Sequence, residues 1–421
     1  MERFQARMMC ALITLACATP ALADDNVAIA NGTAAANGTA TAEAPPIVVE
    51  PTLMHPSAAL MNNHMHDGGE IMVGLRWMRE NYGGASRSGT TTLSDAEVLA
   101  AGYSARASDM TMDMVMLDLM YAPSDDVTLM VMPMWMRHEM TMLGIDPMAG
   151  MDQTAGGMHM DHGGHSLSPG ATMSHAAEGI SDTLVSASYR LARTGRFNAH
   201  ATLGVWVPTG SVTKRNANGS FVHYGMQPGS GTWDIEPSAT ISGQAGSFGW
   251  GAQASYKWRS EDANRSGFAF GDAARASGWI SHALTPSVGV VARLSWEHEG
   301  AIEGHYNDAH SHSSPADIQR NYGGDIVLLG LGANALLPFG SGKRPQLSAE
   351  AAFPLYQNLN GIQLPEDWRL SVSLSQAFWS PDGCRLRPEA APISSPSCRT
   401  GSMHPSRPRR GAGSPRSIRC R

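Results

Sequence analysis

Residues 110–136 read MTMDMVMLDLMYAPSDDVTLMVMPMWM, and this stretch decides the fold class. In its first half the aliphatic and aromatic residues at 115, 117, 119 and 121 alternate with methionine and aspartate. In its second half the same alternation runs from Leu129 to Trp135, after the turn-forming residues Pro123–Asp126. Alternation with a period of two is typical of β-strands that present different environments on their two faces. The stretch therefore predicts an antiparallel β-hairpin.

The same alternation recurs along most of the chain and predicts ten further strands. Their apolar faces fall within 71–77, 185–191, 197–207, 233–241, 250–258, 273–283, 288–296, 327–333, 347–353 and 368–378. Predicted short connections alternate with predicted long ones, the long set being 82–107, 143–179, 209–230, 260–266, 301–321 and 354–366. This combination is typical of bacterial outer-membrane barrels. We therefore expect an all-β transmembrane antiparallel up-and-down β-barrel of about 12 strands.

A soluble β-sandwich is the alternative, because its strands also alternate. Two features favour the barrel: aromatic residues stand at the ends of the apolar faces, and the opposite faces are polar or small. Charged residues make up only 16% of the chain, which is low for a soluble protein. The part between residues 24 and 379 carries a net negative charge, so the composition does not suggest a nucleic-acid partner.

The chain divides into four predicted segments. Residues 1–23 resemble a cleaved export signal, with Arg3 and Arg7 before a short apolar stretch and Ala21-Leu22-Ala23 at its end. Residues 24–63 are rich in Ala, Asn, Thr, Gly and Pro and predict a flexible periplasmic lead-in. The barrel is expected over 64–379. All five cysteines lie outside 24–379, which suits an oxidising export route.

Residues 380–421 differ in kind from the barrel. They lack periodicity and contain nine arginines together with many Pro, Ser and Gly residues. We interpret this disordered tail as a non-native extension, such as one produced by a frameshift near codon 380. The other interpretation is a genuine basic tail, and the sequence of the 3′ end of the gene separates the two.

Five stretches carry a family resemblance. They are HDGGEIMVGLRWMR at 66–79, the stretch at 110–136, GISDTLVSASY at 179–189, GVWVPTG at 204–210 and QPGSGTWD at 227–234. Together they resemble the outer-membrane barrel family named for a meta-pathway of phenol degradation, over roughly 64–379, and in particular its methionine-rich branch. The resemblance implies a location in the outer membrane of a Gram-negative bacterium and a transport role, without fixing the substrate.

Twenty-one of the 26 methionines lie between Met54 and Met173. The alternation predicts that many of them face the barrel lumen from the first three strands. This predicted methionine strip consists of Met72, Met78, Met112, Met114, Met116, Met130, Met132, Met134 and Met136. Thioether sulfur is a soft ligand suited to Cu(I). The alternative is that flexible methionine side chains fill a narrow lumen or form a path for apolar solutes.

Histidines cluster in the predicted external loops. One loop carries a candidate copper or zinc site made of Met158, His159, Met160, His162, His165 and His175, because imidazole and thioether groups in a Gly-rich chain can wrap a metal ion. A second loop carries His298, His305, His310 and His312, which we expect to be solvated or pH-responsive more often than metal-binding. His64 and His66 form a further pair before the first strand.

The sequence predicts a transport protein and no enzyme, since no GxSxG, HExxH or P-loop motif is present. The expected function is an outer-membrane channel for a small solute, with copper or another soft metal suggested by the methionines and histidines. The alternatives are a channel for small apolar or aromatic compounds and a non-conducting surface protein that sequesters metal. Expected partners are the outer-membrane lipid bilayer, the barrel-assembly machinery and the small solute or metal ion. No cofactor is required, and copper is the possible ligand.

Overall fold

The computed structural model describes residues 51–56, 58–145, 167–194, 197–339 and 343–379. Twelve strands, numbered in chain order, form the wall of a closed barrel. They are β1 Glu70–Gly83, β2 Ala105–Ser124, β3 in two parts (Val127–Met132 and Met134–Gly144), β4 in two parts (Thr172–Ile180 and Thr183–Arg193), β5 Phe197–Val207, β6 Asp234–Ala245, β7 Phe248–Arg259, β8 Ala273–Thr285, β9 Val288–Glu299, β10 Gly324–Leu336, β11 Gln346–Gln363 and β12 Glu366–Trp379.

Each strand pairs antiparallel with its neighbours in the chain, and β1 closes the sheet by pairing with both β2 and β12. Ile71 of β1 lies opposite Tyr121 on one side and Phe378 on the other. Closure pairs the backbone groups of every barrel strand, which is the condition for crossing the apolar core of a bilayer. The prediction of an antiparallel barrel with about 12 strands is confirmed.

Two strands are interrupted side by side, and the sequence explains one interruption. Pro133 divides β3, because proline has no N–H to donate to the sheet. Next to it, Ser181 and Asp182 divide β4, and the Ser181 N–H donates to the Met134 carbonyl at 2.9 Å. The two interruptions therefore lie at the same height in neighbouring strands.

The two ends of the barrel differ in their connections. Short turns at one end include Asp125–Asp126, Gly246–Ser247 and Pro286–Ser287, whereas the other end carries long loops such as 208–233 and 300–323. Short turns face the periplasm in barrels of this type, so the long loops are external. An external loop also contains the short helix α1, Asp95–Ala100, which begins with a capping box of Ser94 and Glu97. Within the described residues, no helix has the length and apolarity needed to cross a membrane.

Smaller elements complete the loops and the N-terminal region. Short strands lie at Arg87–Gly89, Thr91–Thr92, Phe268–Ala269 and Glu303–Gly304, and single 3₁₀ turns lie at Pro51–Met54, Tyr224–Met226, Pro315–Asp317 and Gln319–Asn321.

The expected long connection at 354–366 is wrong. β11 continues to Gln363 and β12 begins at Glu366, so only Leu364 and Pro365 join them. Pro354 follows the predicted apolar face at 347–353, but it lies opposite Leu328 beside a shift in register between β10 and β11. A bulge tolerates proline within a sheet, and the strand therefore runs on.

The two faces of the wall match the predicted alternation. Leu203 on the outer face is 54% exposed, whereas Met132 on the inner face is 0% exposed. Trp250 and Trp258 of β7 point outward at its two ends, with Ala254 midway between them. Aromatic residues at both margins of an apolar band are typical of the two membrane interfaces.

The N-terminal segment, residues 51–56 and 58–66, lies inside the barrel at its short-turn end. The Asn62 carbonyl accepts hydrogen bonds from His200 Nε2 at 2.8 Å and Gln253 Nε2 at 3.2 Å. Asn334 Nδ2 donates to the Leu53 and His55 carbonyls at 2.9 and 2.8 Å. These side chains of the wall replace strand partners that the segment lacks, so several of its carbonyls are satisfied without periodicity.

This placement differs from the predicted flexible lead-in for the part of 24–63 that the structure describes. The prediction rested on composition alone, which reports the apolar content of a segment and not the polar partners offered by a wall elsewhere in the chain. The predicted signal peptide, residues 24–50 and the tail at 380–421 lie outside the described residues.

Two adjacent residues of β7 test the assignment of faces. Ala254 points to the lipid at the middle of the apolar band, and Ser255 points to the lumen. We expect Ala254→Arg to lower the free energy of unfolding from lipid by about 2–4 kcal/mol, because a charge then lies near the bilayer midplane. Ser255→Arg should fold with a much smaller loss. Reversible unfolding in lipid vesicles measures both variants, and equal losses would show that the register is wrong by one residue.

Candidate functional site

The predicted methionine strip lines one wall of the lumen. Its residues lie in register across β1, β2 and β3, so that methionines form rows at the same height. One row is Met78, Met114 and Met136, and another is Met72, Met120 and Met130. Side chains directly opposite each other on neighbouring strands are close enough to contact. The wall therefore presents rows of thioether groups, with the buried ion pair of Arg76 and Asp118 between them.

The buried cluster built on this strip is wider than predicted. It contains Met72, Met114, Met116, Met120, Met130, Met132 and Met134 with Leu184 and Trp206, and Met61, Met78, Met112 and Met136 pack against it. Met120 was missed, although it has the same parity as its neighbours in the alternation. Met61 was missed because it comes from the N-terminal segment, whose entry into the lumen no sequence pattern indicates.

The rest of the lumen wall, from β6 round to β12 beside β1, carries charges, and these charges are paired. Arg369 contacts Glu297, Glu366 and Glu80, each at 3.1 Å. Arg293 is bound to Glu350 at 2.6 Å, and both side chains are buried. Buried charges are tolerated when each has a partner and hydrogen bonds. Arg293, Glu297 and Arg369 occupy lumen-facing positions of the alternation, which brings their side chains into this network.

Between the two walls lies a cavity of about 570 Å³. Methionines from β2 and β3 line one side, and Lys257, Arg293 and Arg369 are among the residues on the other. Asn62 of the N-terminal segment lines it from the short-turn end, and Tyr322 of an external loop lines it from the outer end. Cavities of this size hold small organic molecules. One apolar and one charged wall suit a solute with an apolar part.

Aromatic residues of three external loops pack together over the lumen. Val212, Phe221, Tyr224, Phe268, Ile302 and Tyr306 form a buried cluster. The rings of Tyr224 and Tyr306 are stacked at 4.2 Å, and Phe221 stacks on Tyr306 at 4.3 Å. Stacked and edge-to-face rings add to the energy of burial. The outer end of the cavity is therefore bounded by ordered loops.

A buried histidine–aspartate contact joins two of these loops. His223 Nδ1 lies 2.7 Å from Asp317 Oδ1, and both side chains are buried. Burial alone would raise the pKa of Asp317, but the hydrogen bond and charge of His223 lower it below its ordinary value. The carboxylate therefore stays charged at neutral pH and holds the loops together.

Asp182, at the interruption of β4, anchors loop 208–233 to the wall. Its Oδ1 accepts from the Gly210 N–H at 3.0 Å, and its Oδ2 accepts from both the N–H and the hydroxyl of Ser230 at 2.7 Å. Gly210 and Gly229 meet backbone to backbone, where a Cβ on either would lie within 2.6 Å of the other's Cα. Three of the stretches that carry the family resemblance therefore meet at this carboxylate.

Of the predicted histidine and methionine loop, only His175 can be placed. Its Nδ1 lies 3.1 Å from Asn216 Oδ1, and its ring is 5.6 Å from that of His223. Met158, His159, Met160, His162 and His165 lie outside the described residues, so the first candidate metal site stays a prediction.

The second group of histidines is not brought together as one site. His298 lies on β9 with its Nδ1 2.9 Å from Asp325 Oδ1, whereas His310 and His312 have their rings 4.5 Å apart in the following loop. His305 is exposed in the same loop. In the part of the chain that the structure describes, no three His, Cys, Asp or Glu residues are placed to hold a metal ion.

Removal of the Asp182 carboxylate tests its role in holding the external loops. Asp182→Ala leaves the N–H groups of Gly210 and Ser230 without an acceptor, whereas the Ser230 hydroxyl keeps the Thr232 carbonyl at 3.2 Å. We expect the variant to lower the free energy of unfolding by about 3 kcal/mol. Loop 208–233 should then be cut faster by protease added from outside. Asp182→Asn keeps one carbonyl acceptor, so its stability and its rate of loop proteolysis should lie between those of the alanine variant and of the unchanged protein. An alanine variant with unchanged loop proteolysis and stability would contradict the anchoring role.

Comparison with known proteins identifies the family. Residues 134–345 match the family model described as "Putative MetA-pathway of phenol degradation". A comparison with curated protein sequences gives no match. Among solved structures, the chain is similar to the COG4313 outer membrane channel from Pseudomonas putida F1, at 14% identity over 76% of this chain and 99% of that chain, with a TM-score of 0.49.

Two further solved structures are more distant. A Pseudomonas aeruginosa FadL homologue is 11% identical over 73% of this chain and 89% of that chain, with a TM-score of 0.33. A variant of the TodX monoaromatic hydrocarbon channel is 8% identical over 75% and 90%, with a TM-score of 0.32. The family match covers half of the chain, and the chain therefore belongs to this family of outer-membrane β-barrels named for phenol degradation.

Proposed function

We propose that the protein is an outer-membrane channel through which small solutes with an apolar part pass along the methionine wall. The observation that carries the proposal is the cavity of about 570 Å³ with thioethers on one side and paired charges on the other. Thioether side chains are flexible and polarizable, so they adapt to solutes of different shape. The family description, which names phenol degradation, agrees with an aromatic solute.

Passage requires movement at both ends of the cavity. The N-terminal segment bounds it at the short-turn end through hydrogen bonds from the wall to main-chain carbonyls, such as those of Asn62 and Leu53. The aromatic loops and the Asp182 anchor bound it outside. Hydrogen bonds of this kind contribute about 1 kcal/mol each, so partial release of the segment is accessible at ordinary temperatures. In this proposal the segment and the loops gate the channel.

A soft metal ion is the second candidate for what the lumen handles. The rows of three methionines across β1, β2 and β3 favour it, because several weak soft ligands in series allow an ion to bind and leave. The histidine and methionine sequence at 158–165 supports capture of copper outside the barrel. Neither candidate involves covalent chemistry. Export by a cleaved signal and insertion by the barrel-assembly machinery complete the proposal.

Substitution of three methionines that line the cavity separates an apolar path from other roles. Met114, Met134 and Met136 changed together to Gln keep their length but gain amides, which interact poorly with apolar solutes. We expect the flux of a small aromatic probe such as phenol into proteoliposomes to fall by about tenfold, which corresponds to about 1.4 kcal/mol on the barrier.

The same three residues changed to Leu provide the matched control, because leucine preserves volume and hydrophobicity. Phenol flux should then stay near that of the unchanged protein, and ion conductance in planar bilayers should persist in both variants. Loss of phenol flux in the leucine variant would instead point to the sulfur atoms and to the soft-metal candidate. Equal flux in all three proteins would exclude the methionine wall as the path.

A further inference from the structure

His138 is a buried histidine that the sequence analysis did not single out. It lies in the outer half of β3 with its side chain toward the lumen, and it is 3% exposed. Its neighbours Arg137 and Glu139 point to the outside of the barrel and are exposed. His138 therefore lies inside the barrel, beyond the outward-facing Trp135 and beneath the external loops.

The imidazole of His138 is not satisfied by the protein. Neither Nδ1 nor Nε2 makes a hydrogen bond of normal geometry, although the backbone of Gly225 lies beside the ring. Buried polar groups nearly always have partners, and burial without one is costly. An apolar side chain would fill this space at a lower desolvation cost than an imidazole, if packing were the only role of the residue. Even with the Gly225 backbone beside the ring, at least one ring nitrogen lacks a partner, and it is free to bind a ligand.

Methionines surround this ring on the lumen side. Met112 lies directly opposite His138 on β2, and Met136 and Met140 are the next lumen-facing residues on either side of it in β3. Met140 belongs to a buried cluster with Met142 and with Met226 of an external loop. His138 lines the cavity together with Met112, Met136 and Met140. A solute in the lumen therefore meets the imidazole and the thioethers together.

The carboxylates near this place are engaged elsewhere. Glu80 of β1 lies opposite Met112. Its carboxylate accepts a hydrogen bond from the Tyr82 hydroxyl at 2.6 Å and forms an ion pair with Arg369 at 3.1 Å. The ligands left for an ion are neutral nitrogen and sulfur atoms. Such ligands select soft monovalent ions such as Cu(I) and Ag(I), whereas Ca²⁺ and Mg²⁺ require oxygen.

We propose that His138 and Met112, with Met136 and Met140 beside them, form a binding site for a soft monovalent metal ion in the outer half of the lumen wall. The ion would be held by the imidazole nitrogen and by thioether sulfurs from two adjacent strands. The site does not depend on which solute passes through the channel. Metal binding and solute flux are measured separately, so either can fail alone.

Silver provides the probe, because Ag(I) mimics Cu(I) and is stable in air. Titration of Ag(I) into the folded full-length protein in detergent measures the number of sites and their affinities. His138→Leu should weaken one site by about tenfold or more. His200→Leu is the matched control, since His200 is 4% exposed in the same lumen but already bonded to the Asn62 carbonyl. It should leave that site unchanged.

A second pair of variants guards against a folding defect in His138→Leu. Met112→Leu with Met140→Leu preserves volume and should weaken the same site, whereas Met72→Leu with Met130→Leu, at the short-turn end of the strip, should not. Heat-modifiable migration on gels confirms that each barrel is folded. Because residues 146–166 also contain histidine and methionine, the result is the difference between each variant and the unchanged protein.

X-ray absorption of the protein loaded with one equivalent of Cu(I) gives a direct test of the ligands. We expect nitrogen and sulfur in the first coordination sphere, with the nitrogen lost in His138→Leu. The proposal is overturned if the Ag(I) affinity of the unchanged protein is kept both in His138→Leu and in the double variant Met112→Leu with Met140→Leu. The proposal is also overturned if the unchanged protein does not bind Ag(I), or if the first coordination sphere of bound Cu(I) contains no nitrogen.

Discussion

The structure depends on one constraint: a chain that crosses an apolar bilayer as strands must pair every backbone N–H and carbonyl within a closed sheet. The pairing of β1 with both β2 and β12 meets that constraint. Because successive residues of a strand point to opposite sides, closure also separates the chain into a lipid-facing and a lumen-facing set. The apolar outer band and the mixed lumen therefore follow from the same pairing.

Closure also explains why the lumen has two unlike walls. Each wall is built by neighbouring strands. Residues of one type that are enriched in a stretch of sequence therefore lie together on one surface of the lumen. The methionines of β1, β2 and β3 become a thioether wall, and the charged residues of later strands become a network centred on Arg369 and Arg293. The N-terminal segment and the external loops then bound the space between the walls, which leaves a cavity suited to a small solute.

The strands and their faces could be predicted because alternation is a local property of the sequence. The N-terminal segment could not, because its contacts come from His200, Gln253 and Asn334, which lie far away in the chain and offer partners to its backbone. The continuation of β11 past Pro354 was hidden by the usual incompatibility of proline with strands. His138 carries no motif, and its lack of partners becomes visible only when burial is known.

The central claim is that the methionine wall borders the path of the solute. A cysteine introduced into the barrel can test this claim, because residues 24–379 contain no cysteine of their own. With Cys10, Cys17, Cys384, Cys398 and Cys420 changed to Ser, a single cysteine can replace Met134 in the wall or Leu117 on the lipid face. Conductance in planar bilayers is then recorded while a charged, thiol-specific reagent is added. The account predicts that modification reduces the current through Met134→Cys and leaves Leu117→Cys unaffected. Unchanged current through a fully modified Met134→Cys channel would contradict it.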